Sequence, residues 1–390
     1  MKHKMKRVAV LVMAMIMLSF ALVGCSNTID SSATITTINE QEIPAGVANF
    51  FMRLSQAQVE TYYAPMMGTT GDQIWDITID QQTGATYEDM IREDIIRSFE
   101  NLFIMAQQAD TYGVALSEED HAKIDEVVNT FVAANTPENL QLVSGEAEYV
   151  RAYLEIVKIT RMMDPLMREG VDTNVPDDMA RQKAMEWVFF PFTTPDETGT
   201  NVPMTEEQRD EARAMATQFR SDVVAADNDM YAPEIVSNTP DGESTADPES
   251  DVFTVQVRNA TFDETSRVVP VEVINAAWAM NAGEVSDVLE HEGGLYVVKL
   301  TSELDREATD AKAQSIIDER KQEQFDAKLT EWRDAAVIDR NDRLWNRIRF
   351  DRLGVAILQF SPEGDSASED ASTPEEDSAP ADENTDAPAE

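Results

Sequence analysis

Cysteine occurs once in the 390 residues, at Cys25, so no disulfide can close within the chain and no cysteine-based metal site can be assembled. Histidine is almost as scarce. His3, His121 and His291 are the only three, which makes histidine-rich metal chemistry a poor reading. Positive charge is short as well, with 31 Lys and Arg against 74 Asp and Glu and a formal net charge of −43. A chain this negative does not capture phosphate backbones, so nucleic acid is not a partner. Carboxylates are plentiful but never fall in the spacing of an EF-hand loop, and no metal and no cofactor is expected.

What is present begins at the N-terminus. Lys2, Lys4, Lys6 and Arg7 form a positive stretch, residues 8–23 are an apolar run, and Leu22-Val23-Gly24-Cys25 closes it with small residues before the cysteine. This is the pattern of a lipoprotein signal peptide over residues 1–24; a plain transmembrane anchor with an incidental cysteine is the other reading. Cys25 is then the lipidation residue, and each buried methylene of its acyl chains contributes about 0.8 kcal/mol to membrane attachment. The mature chain starts at Cys25, lies outside the cytoplasm bound to the cell membrane through lipid, and carries a charge of −47 once the four basic residues of the leader are gone.

With 42% hydrophobic residues the remainder is long enough for two or three domains. Residues 25–32 read as a polar tether. Residues 34–38 read as a strand, Asn39 and Glu40 as a turn, and 45–63 as an amphipathic helix entered through Pro44. From 86 to 112, Tyr87, Ile91, Ile95, Phe99, Leu102, Phe103 and Ala106 recur at spacings of three and four, the signature of one buried helical face. Ser117 and Asp120 have the spacing of a capping box ahead of a helix bearing Ile124, Val127, Val128 and Phe131, with His121 as a solvated residue of its first turn. A further helix over 146–168 carries Tyr149, Tyr153, Ile156, Val157, Thr160 and Met163 on one stripe. Its methionines Met162, Met163 and Met167 suit either core packing or an adaptable contact surface.

Residues 185–192 read as an apolar strand, 193–205 as a polar loop, 206–224 as a helix and 231–250 as a Pro, Gly, Asp and Ser-rich loop. Residues 252–257 and 268–273 have strand-like composition, and 308–337 is a charged helix with Ile317, Phe325, Leu329, Trp332 and Ala336 along one side. Residues 341–360 have no clear pattern. Residues 361–390 hold eleven acidic residues and no basic one, a composition that cannot bury a core and is expected to be disordered.

Residues 276–300 order their small, apolar and glycine residues in a recognisable way: Ala276-Ala277-Trp278-Ala279-Met280, then Gly283-Glu284-Val285-Ser286, Val288-Leu289, Gly293-Gly294, and a closing strand to Lys299-Leu300. This resembles the last third of a parvulin-type peptidyl-prolyl isomerase domain, and the opening strand, turn and helix resemble extracytoplasmic foldases of the PrsA and SurA kind. The resemblance implies an α+β protein. A discontinuous helical chaperone domain, residues 33–175 completed by a C-terminal helix within 303–360, would hold an inserted parvulin-like domain over 180–302 with a small antiparallel sheet. Its partners would be unfolded or partly folded exported proteins.

Parvulins resemble one another in placing two inward histidines on the first and last strands, an Asp or Cys between them, and a Met and Phe lining a proline pocket. Carried onto this chain, the histidine positions fall on Trp187 and Tyr296, and the pocket positions on Val269, Val273 and Trp278. Both histidines are therefore replaced and two pocket residues are smaller. The middle Asp or Cys would fall in 231–250. His291, at an odd offset from Tyr296, is expected on the opposite face of its strand. Three functions compete: a foldase or chaperone with a degenerate site, an active isomerase with an atypical site, and a solute-binding lipoprotein. The last requires an alternation of strands and helices that the chain does not show.

Overall fold

The computed structural model describes residues 15–17, 28–196, 198–236, 254–351 and 356–358, the side chains of 15–17, Asp72 and 356–358 excepted. Cys25, most of the 231–250 loop and residues 361–390 lie outside the described residues. Residues 15–17, inside the expected leader, pair antiparallel with 356–358, and removal of the leader would delete that ladder. No helix among the described residues is long and apolar enough to cross a membrane. The architecture is α+β, and the chain divides into two compact units: residues up to 160 together with those from 336 onward, and residues 161–335.

The first unit opens with a hairpin of β1 (Thr34–Ile38) and β2 (Gln41–Pro44). Its two-residue turn holds Asn39 and Glu40 at φ 47° and 72°, a left-handed pair whose twist matches the strands it joins. Pro44 then caps α1 (Ala45–Gln58), which continues as a π turn at Val59–Tyr63. Helix α2 (Tyr87–Ala106) starts at a capping box of Thr86 and Asp89, and α3 (Glu118–Ala134) at the expected box of Ser117 and Asp120. His121 is exposed, 3.3 Å from Glu155. Helix α4 (Ala147–Met167) follows. Phe50, Ala57, Ile124, Val128, Phe131, Val143, Val150 and Leu154 form the core, with Phe50 edge-on to Phe131 at 5.4 Å. On α4 the fully buried stripe is Val150 and Leu154, whereas Tyr149 and Tyr153 are only half-buried. Further along α4, in the part grouped with the second unit, Met163 and Met167 are completely buried, which assigns them to packing, while Met162 is half-buried.

The unit is completed by residues 336–351. Ile338–Arg340 adds a third strand to the hairpin beside β1, and Trp345, Ile348 and Phe350 are almost fully buried. Buried polar groups of α1 and α2 receive this segment. Arg53 donates to the Arg349 carbonyl at 2.8 Å and Gln56 to the Phe350 carbonyl at 3.0 Å. Arg92 donates to the carbonyls of Trp345 and Ile348, Glu88 accepts the Phe350 N–H at 2.9 Å, and Glu100 pairs with Arg340 at 2.8 Å. Burial raises the Glu88 carboxyl above its ordinary pKa and lowers Arg53 to about 10.

In the second unit β3 (Lys183–Pro191), α5 (Glu206–Ala225), β4 (Arg258–Phe262), α6 (Val271–Trp278), β5 (Leu289–His291) and β6 (Gly294–Ser302) lead to the long helix α7 (Arg306–Ala335). The strands form one antiparallel sheet in the order β5-β6-β3-β4. Alternation along β3 and β6 sends Val188, Phe190, Leu295 and Val297 to one face, under Ala216, Phe219 and Val223 of α5. Met185, Trp187, Tyr296, Val298 and Leu300 go to the other, under Val273, Ile274 and Ala277 of α6. Both faces of the sheet are thus covered.

Two expectations are corrected here. Residues 268–273 are not a strand: Pro270 fixes φ at −53° and caps α6, so the valines at 271 and 273 begin a helical turn. The strand before it runs over 258–262, directly after the expected 252–257. Helix α7 is grouped with the second unit and packs on the end of α4, where Gln324 and Lys328 donate to the Met167 carbonyl and Arg168 stacks on Phe325 at 4.6 Å. Residues 336–351 return to the first unit.

Candidate functional site

The five expected site residues converge. In the β3–β6 ladder Val298 faces Trp187 and Tyr296 faces Phe189, which puts Trp187, Phe189 and Tyr296 on one face of the sheet. Their rings touch: Tyr296 lies 5.8 Å from Trp187 and 4.7 Å from Phe189 between centroids. Val273 comes down from α6, Val269 from the segment before it, and Trp278 from the helix end, edge-on to Phe262 at 6.0 Å. Lys183 holds that end by donating to the Trp278 carbonyl at 2.8 Å and the Met280 carbonyl at 3.2 Å, with its ammonium 5.1 Å from the Trp278 ring.

Depth decides what this constellation can do. Trp187 is 8% exposed, Tyr296 9%, Val269 5% and Val273 1%. Large rings on the sheet fill the space that the smaller valines would leave, and the face is packed as core. The Trp187 indole N–H is buried with no hydrogen-bond partner among the described residues, at a cost of about 1–3 kcal/mol. Arg258 covers its ring at 5.3 Å. Burial raises the Tyr296 hydroxyl above its ordinary pKa, with Arg258 acting weakly the other way, so the phenol stays neutral at physiological pH. The Tyr296 hydroxyl and the Trp187 indole N–H are the polar donors that these two rings bring to the cluster.

His291 does not lie where its offset in sequence implies. Glu292 and Gly293 form a two-residue hairpin turn, so His291 pairs with Gly294 and shares the face of Tyr296, while Glu290 pairs with Leu295 and points to Arg213 of α5. It lines a depression of about 410 Å³ with Phe192, Arg209, Glu272, Glu290 and Glu292, and neither Trp187 nor Tyr296 contributes to that depression. The turn depends on Gly294, whose φ is +153° and where a Cβ would stand 2.2 Å from the Phe190 carbonyl oxygen. The Gly283-to-Ser286 motif runs back along β6: Gly283 N–H donates to the Leu300 carbonyl at 2.7 Å and Ser286 N–H to that of Val298 at 2.7 Å.

No protein-family model matches the chain, and no curated protein does. Solved structures do. One comes from work on two SurA-like chaperones of Campylobacter jejuni, the virulence factor PEB4 and the periplasmic protein Cj1289, at 10% identity over 79% of this chain and 98% of that one, with a TM-score of 0.25. Another is the foldase protein PrsA from Streptococcus pneumoniae, at 16% identity over 69% of this chain and 96% of that one, TM-score 0.26. PrsA from Bacillus subtilis matches at 12% identity over 63% and 88%, TM-score 0.20. Values this low do not establish membership of a family.

Reading the sequence missed Lys183, Phe189, Arg258 and Phe262 as members of the same cluster. The period-two run Met185, Trp187, Phe189 carried a signal for one of them. Arg258 and Lys183 had none, because each acts on a ring distant in sequence.

Proposed function

We propose that the chain is a lipid-anchored extracytoplasmic folding factor that binds unfolded or partly folded exported polypeptides, with its parvulin-like module lacking a working isomerase site. The observation that carries this reading is the burial of Trp187 and Tyr296 under α6. Rotation about an X–Pro bond faces a barrier of about 18–20 kcal/mol, and an isomerase must admit the proline ring into an apolar pocket beside a polarising pair. Here the pair is replaced and the pocket walls Val269, Val273 and Trp278 belong to a closed cluster. Anchoring rests on Leu22-Val23-Gly24-Cys25 after a charged and apolar leader.

The test measures proline isomerisation in a peptide and suppression of aggregation of a refolding client side by side, with the full chain and with Tyr296→Phe. The expected result is isomerisation at the uncatalysed rate and aggregation suppressed equally by both proteins. Rapid turnover that Tyr296→Phe abolishes overturns the reading of the site, and a chain that leaves aggregation unchanged overturns the folding role. Cys25→Ser tests the anchor by releasing the chain from membranes.

One observation favours a second reading, an active isomerase with an atypical site. The buried Trp187 N–H is a donor without an acceptor among the described residues, and a substrate carbonyl admitted by movement of α6 would supply one. The same assay, repeated with Trp187→Phe, separates the two.

A further inference from the structure

Residues 353–362 carry no charge, and 354–360 read Gly-Val-Ala-Ile-Leu-Gln-Phe, between Arg352 on one side and Pro362 and Glu363 on the other. Uncharged, β-prone runs of this length pair readily with a free strand, and chains either break them with a charge or confine them between charges and proline. This one is confined but unbroken. Its described part, 356–358, is a strand that runs beside α1 and the π turn Val59–Tyr63. That turn is itself unusual, since widened turns inside helices are rare and recur at functional positions.

The strand that 356–358 pairs with comes from the leader. Met15 faces Leu358, Ile16 faces Ile357 and Met17 faces Ala356 in an antiparallel ladder, and among the described residues no other strand joins that pair. Cleavage before Cys25 takes residues 15–17 away, and the main-chain N–H and C=O groups of 356–358 lose the partners they had. The segment seated there shows what the place accepts: an extended stretch from an apolar run, residues 8–23, that holds no charged residue. A main-chain ladder of this kind reads little of side-chain order, which suits a varied set of partners. We propose that in the mature chain residues 356–358 take extended, uncharged apolar segments of non-native polypeptide as an antiparallel partner strand, in the place the leader fills. This rests on the leader and folding-factor readings, and adds to them where a client is gripped and in what conformation. A second copy is a poorer occupant. Two chains of charge −47 repel each other, and a three-residue ladder is far below the area that a stable dimer needs.

The test compares the full chain, made without export so that it keeps its leader, with the mature span 25–390 bearing Cys25→Ser. The probe is a fluorescent peptide of residues 11–20. Hydrogen exchange read by mass spectrometry follows residues 353–360, expected to be protected in the full chain, open in the mature span, and protected again when the peptide is added. A peptide N-methylated at residues 15–17 keeps every side chain but loses the donors of the ladder, and should bind about tenfold more weakly. Ile357→Pro in the mature span should weaken the parent peptide by a similar factor, with a thermal melt to verify that the fold is kept. Aggregation suppression, and the mass of the chain exported by a bacterial host, are measured alongside. If the exported chain keeps residues 1–24, the leader reading fails and the strand proposal with it. If the leader is removed and aggregation is suppressed, but exchange at 353–360 ignores the peptide or the N-methylated peptide binds as the parent does, the strand proposal is overturned and the other readings stand. A dimer of the mature span that Ile357→Pro abolishes gives the strand to a second copy and likewise overturns it. If neither peptide binding nor suppression is seen, the strand proposal and the folding role both fail.

Discussion

Phe350 offers the sharpest test of how the first unit is held together. Its side chain is fully buried, its ring lies 4.6 Å from that of Trp75, and its main chain is gripped separately by Gln56 and Glu88. Phe350→Ala removes the ring and leaves both grips in place, so it isolates the apolar contribution. An aromatic residue buries about 150–250 Å², which at about 25 cal/mol per Å² corresponds to about 4–6 kcal/mol for the whole side chain. Alanine keeps part of that, and the cavity left behind adds a cost, which brings the expected loss to about 3–5 kcal/mol. Against a domain stability of about 5–15 kcal/mol this is a large fraction. With a urea dependence of about 2 kcal/mol per molar, the midpoint for the first unit should fall by roughly 2 M. Hydrogen exchange read by mass spectrometry assigns the loss to a place: α1, α2 and the β1–β2 hairpin should lose protection, whereas the β3–β6 ladder should not. A midpoint shift under about 0.5 M, or a loss of protection shared equally by both units, would refute the reasoning.

Gly294→Ala forces a Cβ to within 2.2 Å of the Phe190 carbonyl, so the β5–β6 hairpin should be destabilised by more than about 2 kcal/mol, visible as a lower melting temperature of the second unit. Trp187→Phe removes the orphaned indole N–H and should leave stability unchanged or slightly raised in the same melt; a loss above about 2 kcal/mol would mean that the N–H has a partner. The Ser117 hydroxyl, the Ser117 N–H and Lys158 hold the Asp120 carboxyl well below its ordinary pKa. That stabilisation is present above the unfolded value of about 4 and is lost as pH falls below it, so native and Asp120→Asn chains should converge in stability on going from pH 5 to pH 2.5 or so, and separate above.

Much of the fold was legible because its signals are local. The Asn39-Glu40 turn, the Ser117 box and the alternation in β3 each act within a few residues, and the structure places each where the pattern did. Residues 336–351 were illegible for the opposite reason. Trp345, Ile348 and Phe350 follow no period, and the residues that receive this segment, Arg53, Arg92 and Glu100, lie 240 or more positions from their partners in sequence. For the site, sequence positions identified which residues meet but not how deeply, since depth depends on α6 lying across the sheet. His291 was misplaced because a strand offset was counted through a turn that reverses the chain.

The partners that close the first unit are far apart along the chain: Gln56 and Phe350 are 294 residues distant, and Arg53 and Arg349 are 296. A polypeptide that emerges with its N-terminus first exposes α1 and α2 long before the residues that satisfy them. Until Phe350 is out, Arg53, Arg92 and Glu88 lack the main-chain partners they have in the finished fold, while β3 to β6 already have every strand they need. The second unit is thus free to mature ahead of the one that precedes it, and the waiting time of the first is set by the length of chain between its two halves. Lengthening a loop in the second unit would extend that wait, and with it the interval in which proteases find the N-terminal helices open, without altering a single contact of the completed protein.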